Sequence, residues 1–145
     1  MLNTKQIGNI TEIECMLSFI KLGYNVLIPY GDCERYDFVV DINNRMYRIQ
    51  VKTANDKNIE DGYITFLCSN KTTKNGKFIH HSYTENEIDY FATFYNNKCY
   101  LIPISETSKR QKTLRFDVPH NGQSKGITFA GEYEIERMVN KIINN

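Results

Sequence analysis

Tyr36-Asp-Phe-Val-Val-Asp-Ile42, the link Asn43-Asn44-Arg45, and then Met46-Tyr-Arg-Ile-Gln-Val-Lys-Thr-Ala54 form the stretch that decides the fold. Both flanks are rich in aromatic and β-branched residues, and asparagine tolerates positive φ, so the run predicts a β-hairpin. Alternation puts Tyr47, Ile49 and Val51 on one face of the second strand and Arg48, Gln50 and Lys52 on the other. With the apolar face against a core, Gln50 and Lys52 stand about 7 Å apart along the strand, and pairing can bring Asp37 into reach. A carboxylate, an amide oxygen and an ammonium in one small volume suit a hard divalent cation beside a phosphate. The same residue types also occur on the wet face of an ordinary half-exposed strand. Periodicity identifies the face and leaves the reaction open.

Towards the N-terminus, Ile10, Ile13, Leu17 and Ile20 recur at helical spacing with Met16 filling in, and Gly23 stands where a helix closes. This predicts a helix over roughly residues 4–22 with that set as its apolar stripe. Glu12 flanks the stripe on the side of Met16 and Phe19, from which it can look inward towards a sheet. A rival reading has Asn9 capping the helix and Glu12 closing a capping box. Residues 25–30 predict a first strand, with Pro29 near its end or edge, and a turn over Gly31 to Arg35 leads into the hairpin. Arg35, two residues before Asp37, could contact a backbone phosphate or pair with Glu34 or Asp32 on the surface.

Beyond Ala54, residues 55–62 read as a polar loop and residues 63–68 alternate as a strand. Two acid-free basic tracts follow, expected as loops: Asn70-Lys71-Thr-Thr-Lys74-Asn-Gly-Lys77 and Lys109-Arg110-Gln-Lys112-Thr-Leu-Arg115. Lys71, Lys74, Lys77, Lys109, Arg110 and Lys112 could clamp phosphates on either side of a sheet, or could be solvated turn residues. The tracts hold little aromatic residue for base stacking, which favours duplex over single-stranded contact. Residues 90–95 and 99–104 predict a second, apolar hairpin around Asn96-Asn97-Lys98. A last helix is expected over roughly residues 132–143, with Ile135, Met138, Val139 and Ile142 on one stripe.

A chain of 145 residues with 41% hydrophobic content has material for one ordinary core, so the expectation is a single domain over residues 1–145. Its formal net charge of +1 does not announce a nucleic-acid binder, so any such surface must come from local clustering. Cys15, Cys33, Cys68 and Cys99 lack the close spacing of zinc sites or disulfide scaffolds and read as reduced, buried thiols. His80, His81 and His120 lack metal-ligand spacing and are expected on the surface or in loops. No apolar leader and no run approaching eighteen apolar residues is present, so the expected location is cytoplasmic, with no membrane span.

Asp37 followed thirteen residues later by Gln50-Val51-Lys52 resembles the PD-(D/E)-x-K nuclease signature, in a variant with Gln where the second acid usually stands. The likeness extends to Ile7-Gly-Asn-Ile-Thr-Glu12 with Leu22-Gly-Tyr-Asn-Val26, which resemble the first helix and strand of Holliday-junction resolvases and of homing endonucleases from group I introns. Ser82-Tyr83, Ile88-Asp-Tyr-Phe91 and Tyr100-Leu-Ile-Pro-Ile104 resemble that family's second half. Tyr36 stands where the signature often has proline.

The resemblance implies an α/β, restriction-endonuclease-like core, a central mixed sheet flanked by helices. It also implies metal-dependent cleavage of DNA, with Glu12, Asp37, Gln50 and Lys52 as catalytic residues. Asp37, Gln50, the Val51 carbonyl and Glu12 would hold Mg²⁺, or Mn²⁺ in its place. Gln50 removes one negative charge from the cage, so Glu12 would carry more of the metal binding; the homing relatives carry Gln here and are active. Two-strand cleavage implies a homodimer or homotetramer. Other readings are a Holliday-junction resolvase, a DNA-binding module whose site no longer cuts, and a structural protein with a coincidental hairpin.

Overall fold

The computed structural model describes residues 1–145. In chain order the strands are β1 (Asn25–Leu27), β2 (Phe38–Ile42), β3 (Arg45–Val51), β4 (Tyr63–Leu67), β5 (Ser69–Lys74), β6 (Lys77–Ser82), β7 (Tyr90–Tyr95), β8 (Lys98–Pro103) and β9 (Gln111–Arg115); the helices are α1 (Thr4–Lys21) and α2 (Ile135–Ile143). Asparagine governs the tight turns. Asn43 and Asn44 both have positive φ (53° and 65°), as do Asn96 and Asn97 (49° and 64°) and the pair Asn75 and Gly76 (53° and 74°). Consecutive positive φ values are what a two-residue hairpin turn requires.

A five-stranded mixed sheet in the order β1-β2-β3-β7-β8 forms the centre. β2 pairs antiparallel with β3, Phe38 opposite Ile49, and β3 pairs parallel with β7, Ile49 opposite Tyr90. β3 is thus the junction between the antiparallel and parallel halves. One face of the sheet carries Phe38, Val40, Ile42, Ile49, Val51, Ala92 and Leu101, buried under Cys15 and Phe19 of α1 and under Ile135, Met138 and Val139 of α2. The opposite face of β7 and β8, with Phe91, Tyr100 and Ile102, packs on the two-stranded sheet of β4 and β9 through Ile64, Phe66 and Leu114. Three thiols, Cys15, Cys68 and Cys99, are buried and all four are free; Cys33 is exposed.

Several expectations change. α1 starts at Thr4, with a capping box between Asn3 and Gln6 (both bonds 2.9 Å), so an Asn9–Glu12 box does not form. Its buried side is Thr11, Cys15 and Phe19, with Phe19 edge-on to Phe38 at 5.9 Å. The expected stripe lies outside: Ile10, Ile13, Leu17 and Ile20 are 45%, 59%, 39% and 54% exposed. The helix is apolar on two opposite sides, and spacing alone does not say which one meets the sheet.

β1 ends at Leu27, three residues short of Tyr30, because Pro29 can donate no ladder bond. Residues 130–133 form a 3₁₀ turn, and Glu134 is extended (φ −58°, ψ 142°), so α2 begins at Ile135. Both basic tracts are strand, not loop: the first is the β5–β6 hairpin and the second runs into β9. They also leave from one place, since the Cys68 N–H donates to the Arg110 carbonyl at 2.7 Å, so they do not straddle the central sheet.

Ile49, fully buried at the centre of β3, leaves a cavity when truncated. Ile49→Ala is expected to cost about 2–5 kcal/mol in urea denaturation, while Ile13→Ala on the outer side of α1 should change stability by less than about 1 kcal/mol.

Candidate active site

Asp37 stands just before β2, one step beyond the pair Phe38 and Ile49, which puts it opposite Gln50. Its N–H donates to the Ile49 carbonyl at 2.8 Å, and its carboxylate Oδ2 accepts the Val51 N–H at 2.7 Å. The side chain thereby replaces the backbone acceptor that β2 no longer supplies. Lys52 is fixed from the other side, its N–H donating to the Ala92 carbonyl of β7 at 2.9 Å. The two hydrogen bonds lock the acid and the lysine to adjacent points of one strand end.

Glu12 comes from the sheet-facing flank of α1 and is half-buried. Burial and the nearby Asp37 carboxylate both push its pKa up. For Asp37, burial raises the pKa, and the Val51 N–H and Lys52 only partly offset it. Lys52 is shifted down by burial and by Arg35, against the pull of Asp37. Each of the three is held away from its ordinary value towards the neutral form, which is how a site looks when its charges await a further partner.

Two side chains that hydropathy and spacing do not single out hold the lysine. Its Nζ donates to Asn70 Oδ1 at 2.7 Å and to the Ser69 carbonyl at 3.4 Å, and lies 4.9 Å from the centre of the Tyr83 ring. The Tyr83 hydroxyl donates to the same Asn70 oxygen at 2.8 Å. Both residues sit at the root of the β5–β6 hairpin. The Asn75-Gly76 pair is the sequence signal for that hairpin.

Gln50 shares the site, and its Nε2 donates to the Val51 carbonyl at 3.3 Å, leaving Oε1 free. Arg35 does not make the surface pairing expected for it. It pairs with Glu87 at 3.1 Å, not with Glu34 or Asp32, and its guanidinium lies 4.0 Å above the Tyr83 ring. Lys112 donates to the Glu106 carbonyl at 2.7 Å, and the Lys71 ammonium lies 3.5 Å over the Phe78 ring. Lys74, Lys77, Lys109 and Arg110 are exposed. The middle of β3 is held by Arg48, whose Nε meets Asp89 at 3.0 Å and whose guanidinium also reaches the Asn86 carbonyl.

The arrangement can bind a cation. The Asp37 carboxylate adds to burial in raising the Glu12 pKa, one amide oxygen is free and a backbone carbonyl is adjacent. No cluster of three or more His, Cys, Asp or Glu side chains is present, so the neutral oxygens of Gln50 and Val51 would have to complete the ligand shell.

The family described as PD-(D/E)XK endonuclease matches residues 2–136. The chain is also similar to the solved structure of a bacterial homing endonuclease, at a TM-score of 0.80 and 19% sequence identity over 99% of this chain and 98% of that one. At that identity the likeness speaks for the fold. Among curated proteins none matches the chain.

The ionised form of Asp37, with its pKa raised by burial, weakens the fold; this cost is absent below the unfolded pKa and complete above the folded one. Asp37→Asn, which keeps an oxygen for the Val51 N–H, should therefore raise the melting temperature at pH 8, and the gain should fade below about pH 4.

Proposed function

Because the chain belongs to the PD-(D/E)XK endonuclease family, we propose that it is a metal-dependent endodeoxyribonuclease that hydrolyses phosphodiester bonds of duplex DNA, of the homing or restriction type. The observation that carries this reading is the pair of Asp37 and Lys52, an acid pushed up and a base pushed down, pinned by Val51 and Ala92 to one strand end.

A bound divalent cation supplies Lewis-acid polarisation of the scissile phosphate and an activated water. Hard oxygen ligands favour Mg²⁺, with Mn²⁺ as a substitute. Asp37 and Glu12 supply the negative charge that holds the ion, and Gln50 Oε1 and the Val51 carbonyl complete the protein's share of the shell. The Lys52 ammonium orients the attacking water or stabilises the charge that builds on the phosphate. Lys71, Lys74, Lys77, Lys109 and Arg110 supply phosphate contacts. Arg35 and Lys112 join them only by exchanging Glu87 and the Glu106 carbonyl for DNA.

One observation favours a second reading, a DNA-binding module that does not cut: the Gln50 amide nitrogen occupies the Val51 carbonyl. Plasmid, linear duplex and four-way junction, each incubated with and without Mg²⁺ or Mn²⁺, separate the possibilities. Duplex cutting at a few positions, abolished in both Asp37→Ala and Lys52→Ala, is the expected result. Junction-selective cutting makes the protein a resolvase. Binding without cutting under any metal makes it the non-catalytic module, and cutting retained in either variant removes the site assignment. Calorimetry provides a readout independent of turnover: Mg²⁺ at about 100 times its Kd should stabilise the wild type by about 2.7 kcal/mol and Asp37→Asn by far less.

A second copy of the chain is the partner we propose for the outer side of α1. Ile10, Ile13, Leu17 and Ile20 follow the three-four-three spacing of a helix-pairing seam, and cutting both strands calls for two sites. Light scattering on the wild type should give a dimer or tetramer. The exposed-site variant Ile13→Lys with Leu17→Lys should be a folded monomer; an unchanged mass would place the contact elsewhere.

A further inference from the structure

The β5–β6 hairpin has no core of its own. Every residue from Asn70 to His81 is exposed, including Phe78 at 65% and Ile79 at 39%. Two strands standing alone in water are marginal, and such a ribbon is the size that the DNA major groove admits. Its charge is complementary to that setting. From Ser69 to Tyr83 there is no acid, while Lys71, Lys74, Lys77, His80 and His81 all lie within it.

The pairing separates two faces. Lys71 opposite His80 and Thr73 opposite Phe78 share one, which continues at the root into Ser69 opposite Ser82. Ser69 is buried, so this face meets the body of the protein at its root. Asn70 opposite His81, Thr72 opposite Ile79 and Lys74 opposite Lys77 share the other. Its root residue, Asn70, is the one that holds the Lys52 ammonium at 2.7 Å. This second face therefore starts at the reactive lysine and runs outward.

Resting on the nuclease reading above, we propose that the face formed by Asn70, Thr72, Lys74, Lys77, Ile79 and His81 lies in the major groove beside the cleaved phosphate and reads base edges there. Lys74 and Lys77 offer donors to guanine O6 and N7, Ile79 offers apolar contact to a thymine methyl, and Thr72 can serve either polarity. The Thr72 hydroxyl and His81 Nε2 lie 3.1 Å apart, so the two present a paired polar group. With no carboxylate on the ribbon, the charged acceptor that best suits cytosine N4 is missing. The strand it reads should carry guanine and thymine in preference to cytosine. Six residues at about 3.4 Å each span some 20 Å, so the bases read lie within about six base pairs of the cut.

Selection of bound duplexes from a randomised pool in Ca²⁺ tests this without requiring cleavage. The wild type should enrich a short motif rich in guanine and thymine on one strand. Lys77→Ala and Thr72→Val should each relax the preference about tenfold at a single base pair, whereas Lys71→Ala should weaken binding to all sequences alike. A wild type that selects no motif overturns the proposal, as does a motif that survives both face variants or variants that merely lower affinity uniformly. Cleavage of the selected duplex in Mg²⁺ then tells the two readings apart. A motif lost in the face variants without any cutting supports the reading face and removes the nuclease, and cutting more than about six base pairs from the motif overturns the placement.

Discussion

The hydrogen bond from the Val51 N–H to the Asp37 carboxylate, 2.7 Å long, is the contact on which the site depends. β2 begins one residue too late to supply a backbone acceptor for Val51, so a side chain does so. A buried N–H without a partner costs about 1–3 kcal/mol, which gives the fold its own reason to hold the acid in place. That acid is then paired across the strands with Gln50 and sits next to Lys52. Structural need and chemistry converge on the same carboxylate, and its raised pKa shows that the fold alone does not fully compensate its charge.

β3 is the second constraint. Antiparallel to β2 and parallel to β7, it receives Asp37 from one neighbour and fixes Lys52 through Ala92 of the other. Its inner face is Ile49 and Val51 in the core, so a one-residue slip would bury Gln50 and expose Ile49. The register that builds the core is therefore the register that builds the site. Arg48 and Asp89 reinforce it: burial pushes the Asp89 pKa up, but the hydrogen bonds from the Arg48 guanidinium and N–H outweigh it and hold the carboxyl below its usual value.

The β5–β6 hairpin and the outer side of α1 follow a different logic. Neither contributes to a core, yet the first is acid-free and basic and the second is apolar. Surfaces of this kind carry cost in a lone subunit in water, since unpaired strands and exposed aliphatic side chains gain little there. Their placement fits partners outside the chain, a polyanion for one and a second apolar face for the other.

The sequence by itself determined the central hairpin, its turn at Asn43 and Asn44, the division of Ile49 and Val51 from Gln50 and Lys52, and the family to which the chain belongs. These are local properties: alternation, turn chemistry and a short motif act within a few residues of each other. Tertiary structure alone decided which apolar side of α1 is buried, because Cys15 and Phe19 compete with Ile13 and Leu17 on equal terms until Phe38 presents a surface to one of them. It also decided that Asn70 and Tyr83 hold Lys52, and that Arg35 belongs to Glu87, contacts that span from eighteen to more than fifty residues of chain. Such pairings depend on where separate elements are brought together, and no spacing along the chain records that.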